Sequence, residues 1–424
     1  MTPMLRRNAI FAGALSVILL AGFSTLRCAA DEPSGSTSAT TTPESSAHNA
    51  ASLKAGGGGA EQRGGAPQTT ALRTSVFGEP LYARGSDGKV HLEYDLLSTS
   101  VFRNPVRLIK VEVLAANGQR LLNLEGDDLK ARTQPLGDTT PTSKVPPSGA
   151  VATLIDIVVA PDKVPDRLTN RVAYELTPDT PDISKALIDE RQIEGPKLQV
   201  VRRQPTVIAP PLSGEGWFNA NGCCEPTPHR SFRLAADGER YVTPETFAID
   251  WVRLRGKRIY EGDATKNQQY FDFGAKVSSA TDGEVVSVRD GMSEETPNND
   301  PTDVRMPGDF GGNHVVVRVR PGVYAFYAHL QPGSIEVRKG DQVKAGQPLG
   351  RLGNTGNSTA PHLHFELSDG PDVLTSNSLP FVIDRYELAG SVAADSTDTS
   401  MLVKGTLRSE EKTHPLFLSV ANFR

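Results

Sequence analysis

Cysteine is scarce in this chain, with three among 424 residues. Cys28 falls at the end of a leader-like segment, which leaves the adjacent pair Cys223 and Cys224. A disulfide framework of the kind that staples small secreted domains is therefore excluded. Adjacent cysteines close a small, strained ring, so this pair is expected to be reduced, buried or metal-linked rather than a structural bridge. An excess of basic charge is also missing. The net charge is -5 with no basic stripe, so nucleic acid is not an expected partner, and nothing in the charge favours an anionic membrane. No long helical period appears beyond the first residues, which points to an all-β fold.

The length allows two or three domains with a sizeable core. Residues 1–30 read as a signal peptide: Arg6 and Arg7 are charged, 10–23 is apolar, and Cys28-Ala29-Ala30 supplies small residues for cleavage before Asp31. Two other readings stay open, a retained membrane anchor and a lipid anchor at Cys28, although Thr25-Leu26-Arg27 is a poor lipobox. All three place the folded part outside the cytoplasm, in the periplasm, cell envelope or medium.

Residues 31–72 are rich in Ser, Thr, Ala, Gly and Pro and read as a flexible tether, because few apolar side chains offset the entropy of ordering them. From 73 to 205 short alternating strands follow one another: Val90 to Tyr94, Val106 to Leu114, a turn at Asn117-Gly118, then Val151 to Val159 and Val172 to Leu176. That spacing predicts an antiparallel β-sandwich. His91 stands alone there and reads as an ordinary strand or surface histidine. The proline tract at 205–211 marks a junction. Strands continue at Phe247 to Leu254, Gly283 to Val288, Val315 to Val319 and Val323 to Ala328, within a domain expected over 206–385. A β-extension over 386–424 ends in Leu416 to Val420, which reads as a strand returning to one of the sheets.

The chemistry concentrates in LGNTGNSTAPHLHFEL, Leu352 to Leu367. His362 and His364 are two apart in a strand-like run, so both imidazoles share a face. Imidazole is both the commonest zinc ligand and the side chain suited to proton transfer near neutral pH, so one can bind and the other act as base.

These residues, together with Tyr327-Ala328-His329-Leu330, the glycines at 340, 346, 350, 353 and 356, Asp282-Gly283-x-Val285 and Gly312-Asn313-x-Val315, resemble the lysostaphin-like (LytM-type) zinc endopeptidases, which cut peptide cross-links of bacterial peptidoglycan. The resemblance runs from about Phe247 to Asp384 and implies an antiparallel β-sheet peptidase domain that binds Zn2+. It implies that His364 and Asp250 are zinc ligands, that His362 is the general base, and that His329 orients the base or stabilises the oxyanion. The family's other ligand, a histidine four residues before Asp250, falls at Thr246. A hairpin turning at Asp237-Gly238 would pair Ala236 with Glu239 and set His229 across from Thr246, which makes His229 the candidate third ligand. Cys223 or Cys224 as thiolates are the alternative.

The expected function is a zinc metalloendopeptidase acting on peptidoglycan peptides. Its rival is a degenerate wall-binding protein that activates separate amidases, the reading that Thr246 favours. A third reading gives the working role to the sandwich, as a binder of wall polymer or a partner. His314 reads as structural or at the cleft edge, and His48 and His414 have no metal-ligand company. The insertion from Met292 to Pro307 is either a lid or a solvent loop.

Overall fold

The computed structural model describes residues 68–393, 396 and 400–424. The expected leader and nearly all of the tether lie outside the described residues. The tether's expected end at 72 comes too late. Thr69 N donates to Asp189 Oδ1 at 2.7 Å, Ala71 N to the Tyr174 hydroxyl at 2.8 Å, and Ala71 and Leu72 are buried. These two apolar residues belong with the strand Leu72–Arg84 that they lead into.

Two antiparallel sheets build the first unit. One has the order Leu72–Arg84, Val90–Ser100, Ala150–Val159, Thr133–Pro135; the other has Arg120–Glu125, Val106–Ala115, Arg167–Leu176, Gln192–Gln199. Alternate residues of both meet in one core, with Leu92, Leu96, Ile155 and Ile157 from the first sheet against Val111, Val113, Val172 and Tyr174 from the second.

The second unit is built on one long sheet. Its central strands run Phe381–Val392, Ser419–Phe423, Gly214–Asn221, Ile249–Arg253, Leu363–Ser368, Val323–Leu330, Asn313–Arg320, Gly283–Arg289. Phe381–Val392 passes straight through the expected boundary at 385, and the C-terminal strand lies inside the sheet. The chain end is therefore an integral part of this sheet, not an appendage. Among the described residues each α-helix spans only four to six residues, and no helix is long and apolar enough to cross a membrane.

The central strands are two-faced. Trp251, Leu363, Phe365, Tyr327, Val315 and Val317 point into a buried apolar cluster. Their alternating neighbours Asp250, His364, Glu366 and Phe326 necessarily face the other side.

His414 is fully buried between Phe247 and Phe381, with ring centroids 6.1 and 4.8 Å away, and its Nδ1 donates to the Phe381 carbonyl at 3.0 Å. Burial pushes its pKa down to about 4. The unfolded chain therefore takes up this proton near pH 6.5, before the folded protein does. The stabilisation is complete above that pH and is lost as pH falls toward 4, at about 1.4 kcal/mol per pH unit and about 3 kcal/mol in all. In His414→Gln, urea midpoints measured from pH 7 to pH 4 are expected to fall less steeply than in wild type.

Candidate metal centre

Four adjacent strands carry the site. Asn221 pairs with Asp250, Asp250 with His364, and His364 with Ala328, so register alone lines these side chains across the sheet. His364 Nδ1 lies 3.0 Å from Asp250 Oδ1, and His362 Nε2 lies 3.4 Å from the same oxygen. His229 Nε2 approaches the other carboxylate oxygen, Oδ2, at 3.2 Å. Asn221 joins the two sides: its Nδ2 donates to Asp250 Oδ2 at 3.0 Å and its Oδ1 accepts from His229 N at 3.3 Å.

His229 reaches this point by a route other than the expected hairpin. Leu234 pairs with Val242 and Ala236 with Arg240, so the turn holds three residues, 237–239, and the pairing does not extend back to His229. His229 sits on a single helical turn, Pro228–Ser231, that Thr227 caps by accepting from Arg230 N at 3.4 Å. Thr at the cap and Pro at the first helical position form a helix-start signal that was present in the sequence. Thr246 is buried.

His329 joins from the next strand with φ 62°. Strict alternation would turn residue 329 toward the core. The left-handed backbone, which costs a non-glycine residue roughly 1–3 kcal/mol, breaks that alternation. Its ring centroid stands 4.6 Å from that of His362 and 6.0 Å from that of His364.

Ring tautomers follow from what each nitrogen faces. A carbonyl only accepts, so His329 Nδ1–H donates to Thr355 O at 2.7 Å, His362 Nδ1–H to Ala360 O at 2.8 Å, and His229 Nδ1–H to Ala248 O at 3.3 Å. The neutral forms therefore carry their lone pairs on Nε2. Glycine is required where the Thr355 turn closes: Gly356 at φ 74° and Gly312 at φ 59° press backbone on backbone, with no room for a Cβ at either position.

Burial disfavours the Asp250 carboxylate, yet His229 and His362 hold its pKa well below the usual range. Burial likewise opposes charge on His229 and His364. Asp250 and Glu245 raise the first, and the bonds to Asp250 and Glu366 raise the second well above an ordinary imidazole. Burial and the neighbouring imidazoles push the pKa of His329 well below the ordinary value.

Two carboxylates of the site were missed in the sequence. Glu245 Oε2 lies 3.8 Å from His229 Nε2, and Glu366 Oε1 lies 3.8 Å from His364 Nε2, which has no hydrogen-bond partner. Glu366 was legible, being two residues beyond His364 on the same strand face. Burial lifts its pKa to about 7.

One nitrogen each from His229 and His364 and one oxygen from Asp250 lie within 4.8 Å of one another. Two imidazoles and a carboxylate match the donor set of catalytic zinc sites that keep an open position, so a divalent cation fits this group. Glu366 behind His364 matches the outer carboxylate that orients such a ligand. In Glu366→Gln, zinc affinity read by competition with a chromophoric chelator is expected to fall by roughly 10–100-fold.

The cysteines are elsewhere and oxidised, contrary to expectation. Cys223 and Cys224 form a disulfide across a cis peptide bond that brings their Cα atoms to 3.1 Å, and neither is available as a thiolate ligand. Cys224 instead belongs to a second group with His91, Glu93 and Asp156. His91 is thus not alone: it is buried, with Nδ1 3.1 Å from Asp156 Oδ1. Arg230 Nη2, 2.8 Å from Glu93 Oε2, already supplies positive charge there. His314 is half-buried against Phe326 and bonds Gly312 O at 2.8 Å. The 292–307 insertion is fastened to the turn that leads to His362, through Glu294 to Asn354 N, Glu295 N to Asn354 O and Asn298 N to Thr359 O.

Residues 270–375 match the family model described as Peptidase family M23. Lysostaphin from Staphylococcus staphylolyticus is 36% identical over 107 residues, covering 24% of this chain and 22% of the relative. The peptidoglycan DD-endopeptidase ShyA of Vibrio cholerae is 45% identical over 58 residues, covering 14% and 13%. The chain thus spans less than a quarter of the length of these curated relatives. The solved catalytic domain of the antimicrobial peptidase lysostaphin from Staphylococcus simulans aligns at 22% identity over 39% of this chain and 88% of that one, with a TM-score of 0.22. The family match contains His329, His362 and His364 and begins after His229 and Asp250.

Proposed function

We propose that this chain is a zinc-dependent endopeptidase that hydrolyses peptide bonds of bacterial peptidoglycan outside the cytoplasm. The observation that carries this reading is the convergence of His229, Asp250 and His364 beside two further imidazoles, His362 and His329. The M23 match and the wall-directed names of its relatives support the substrate class.

Zinc held by His229, Asp250 and His364 would polarise the scissile carbonyl and make water a nucleophile at neutral pH. His362 Nε2 takes the proton from the attacking water and later returns it to the leaving amine, and the Ala360 bond holds the required tautomer. His329 presents Nε2 as an acceptor while it is neutral, because Nδ1–H is committed to Thr355. It can therefore donate to an oxyanion only in a form that is protonated at Nε2. Asp250 and His362 side chains keep 14% and 13% exposure while His229 and His364 keep 5%, so the cleft opens on the base side.

The test is digestion of cross-linked peptidoglycan by purified protein, metal-free and then zinc-restored, with release of new amino termini as readout. Zinc-dependent release is expected. Tight wall binding with no release from any cross-link type would favour the amidase-activating alternative. That alternative rested on Thr246, and His229 offers the imidazole that Thr246 lacks.

A further inference from the structure

The strand Val90–Ser100 carries His91, Glu93 and Asp95 on one face, a pattern that reads as solvated, yet all three are buried. Segment 222–233 of the second unit covers them. Arg230, neighbour to His229 on the same helical turn, is itself buried, with Nη2 2.8 Å from Glu93 Oε2 and Nη1 3.1 Å from Asp95 Oδ1. Arg233 Nε donates to Asp95 Oδ2, and its Nη1 holds Ser231 O at 3.0 Å. Arg132 of the first unit adds a bond to Glu225 at 3.2 Å. Desolvated ion pairs of this kind add little net stability over apolar packing, but they fix orientation, and breaking one partner is costly. The backbone they fix is the turn that aims His229 at Asp250.

We infer that the β-sandwich is a structural part of the metal centre: Glu93 and Asp95 clasp Arg230 and Arg233 and thereby hold the third ligand, His229, in place. The four are positioning residues. This rests on the metal reading above, and it gives the sandwich a role in the site's assembly that needs no wall polymer. Here the ligand comes from a single helical turn, and a neighbouring unit supplies the rigidity.

Arg230→Met is the first probe, read two ways. Zinc affinity, from chelator competition, is expected to fall roughly 10–100-fold, as for loss of an outer partner. His229→Ala added to Arg230→Met is expected to cost less than in wild type, since the two residues act as a unit. Metal-free protein is then treated with diethyl pyrocarbonate and residue 229 is scored by peptide mass; His229 is expected to be protected in wild type and reactive in the variant. An affinity within twofold of wild type together with equal protection would overturn the clasp. Should Arg230→Met fail to fold, Asp95→Asn keeps the shape, removes one charge, and is judged by the same two outcomes. If wild type itself binds no zinc, the enzyme reading fails, while the modification arm still decides the clasp.

Discussion

His364→Ala is expected to lose both zinc and turnover. His364 lies between two carboxylates, with Nδ1 3.0 Å from Asp250 Oδ1 and Nε2 3.8 Å from Glu366 Oε1. Its removal leaves His229 and Asp250 as the protein donors, too few for a catalytic zinc site with one open position. The loss should exceed the roughly 10–100-fold expected for an outer partner such as Glu366. Metal analysis after dialysis against a weak chelator is the readout, with circular dichroism confirming the fold. Retention of stoichiometric zinc by the variant would remove His364 from the ligand set.

His362→Ala is expected to behave in the opposite way toward the metal. Its ring faces the cleft, and its Nδ1 is bound only to local groups, Ala360 O and Ser358 Oγ. Zinc should stay bound at wild-type affinity while kcat drops by roughly 10²–10⁴-fold, the usual contribution of a positioned acid–base group. The comparison of the two variants separates holding the metal from moving the proton. Equal loss of zinc in both would mean that His362 is a ligand and that the division of labour on this strand is wrong.

The strands were legible wherever apolar residues alternate. Val90 to Tyr94, Val106 to Leu114 and Val315 to Val319 all lie within strands of the structure, because one face of each is a core face. The same period placed His362 and His364 together, and Glu366, two residues beyond His364 in the same run, shares their face. His229 was named for a hairpin register that the three-residue turn does not support; the Thr227-Pro228 helix start was the better signal. Polar alternation misled at His91, because no local pattern reveals that another unit will cover a strand's polar face. The Cys223–Cys224 disulfide was missed because ring strain was taken to exclude a bridge between adjacent cysteines.

The two-faced character of Leu363–Ser368 has an evolutionary consequence. Its odd-numbered residues lie in the apolar cluster and its even-numbered ones, His364 and Glu366 among them, face the other side, so a single codon gained or lost inside this stretch would exchange the two faces at once. A change in the length of this segment would therefore be far more costly than one in an exposed turn such as 237–239, where no core face has to be kept in register.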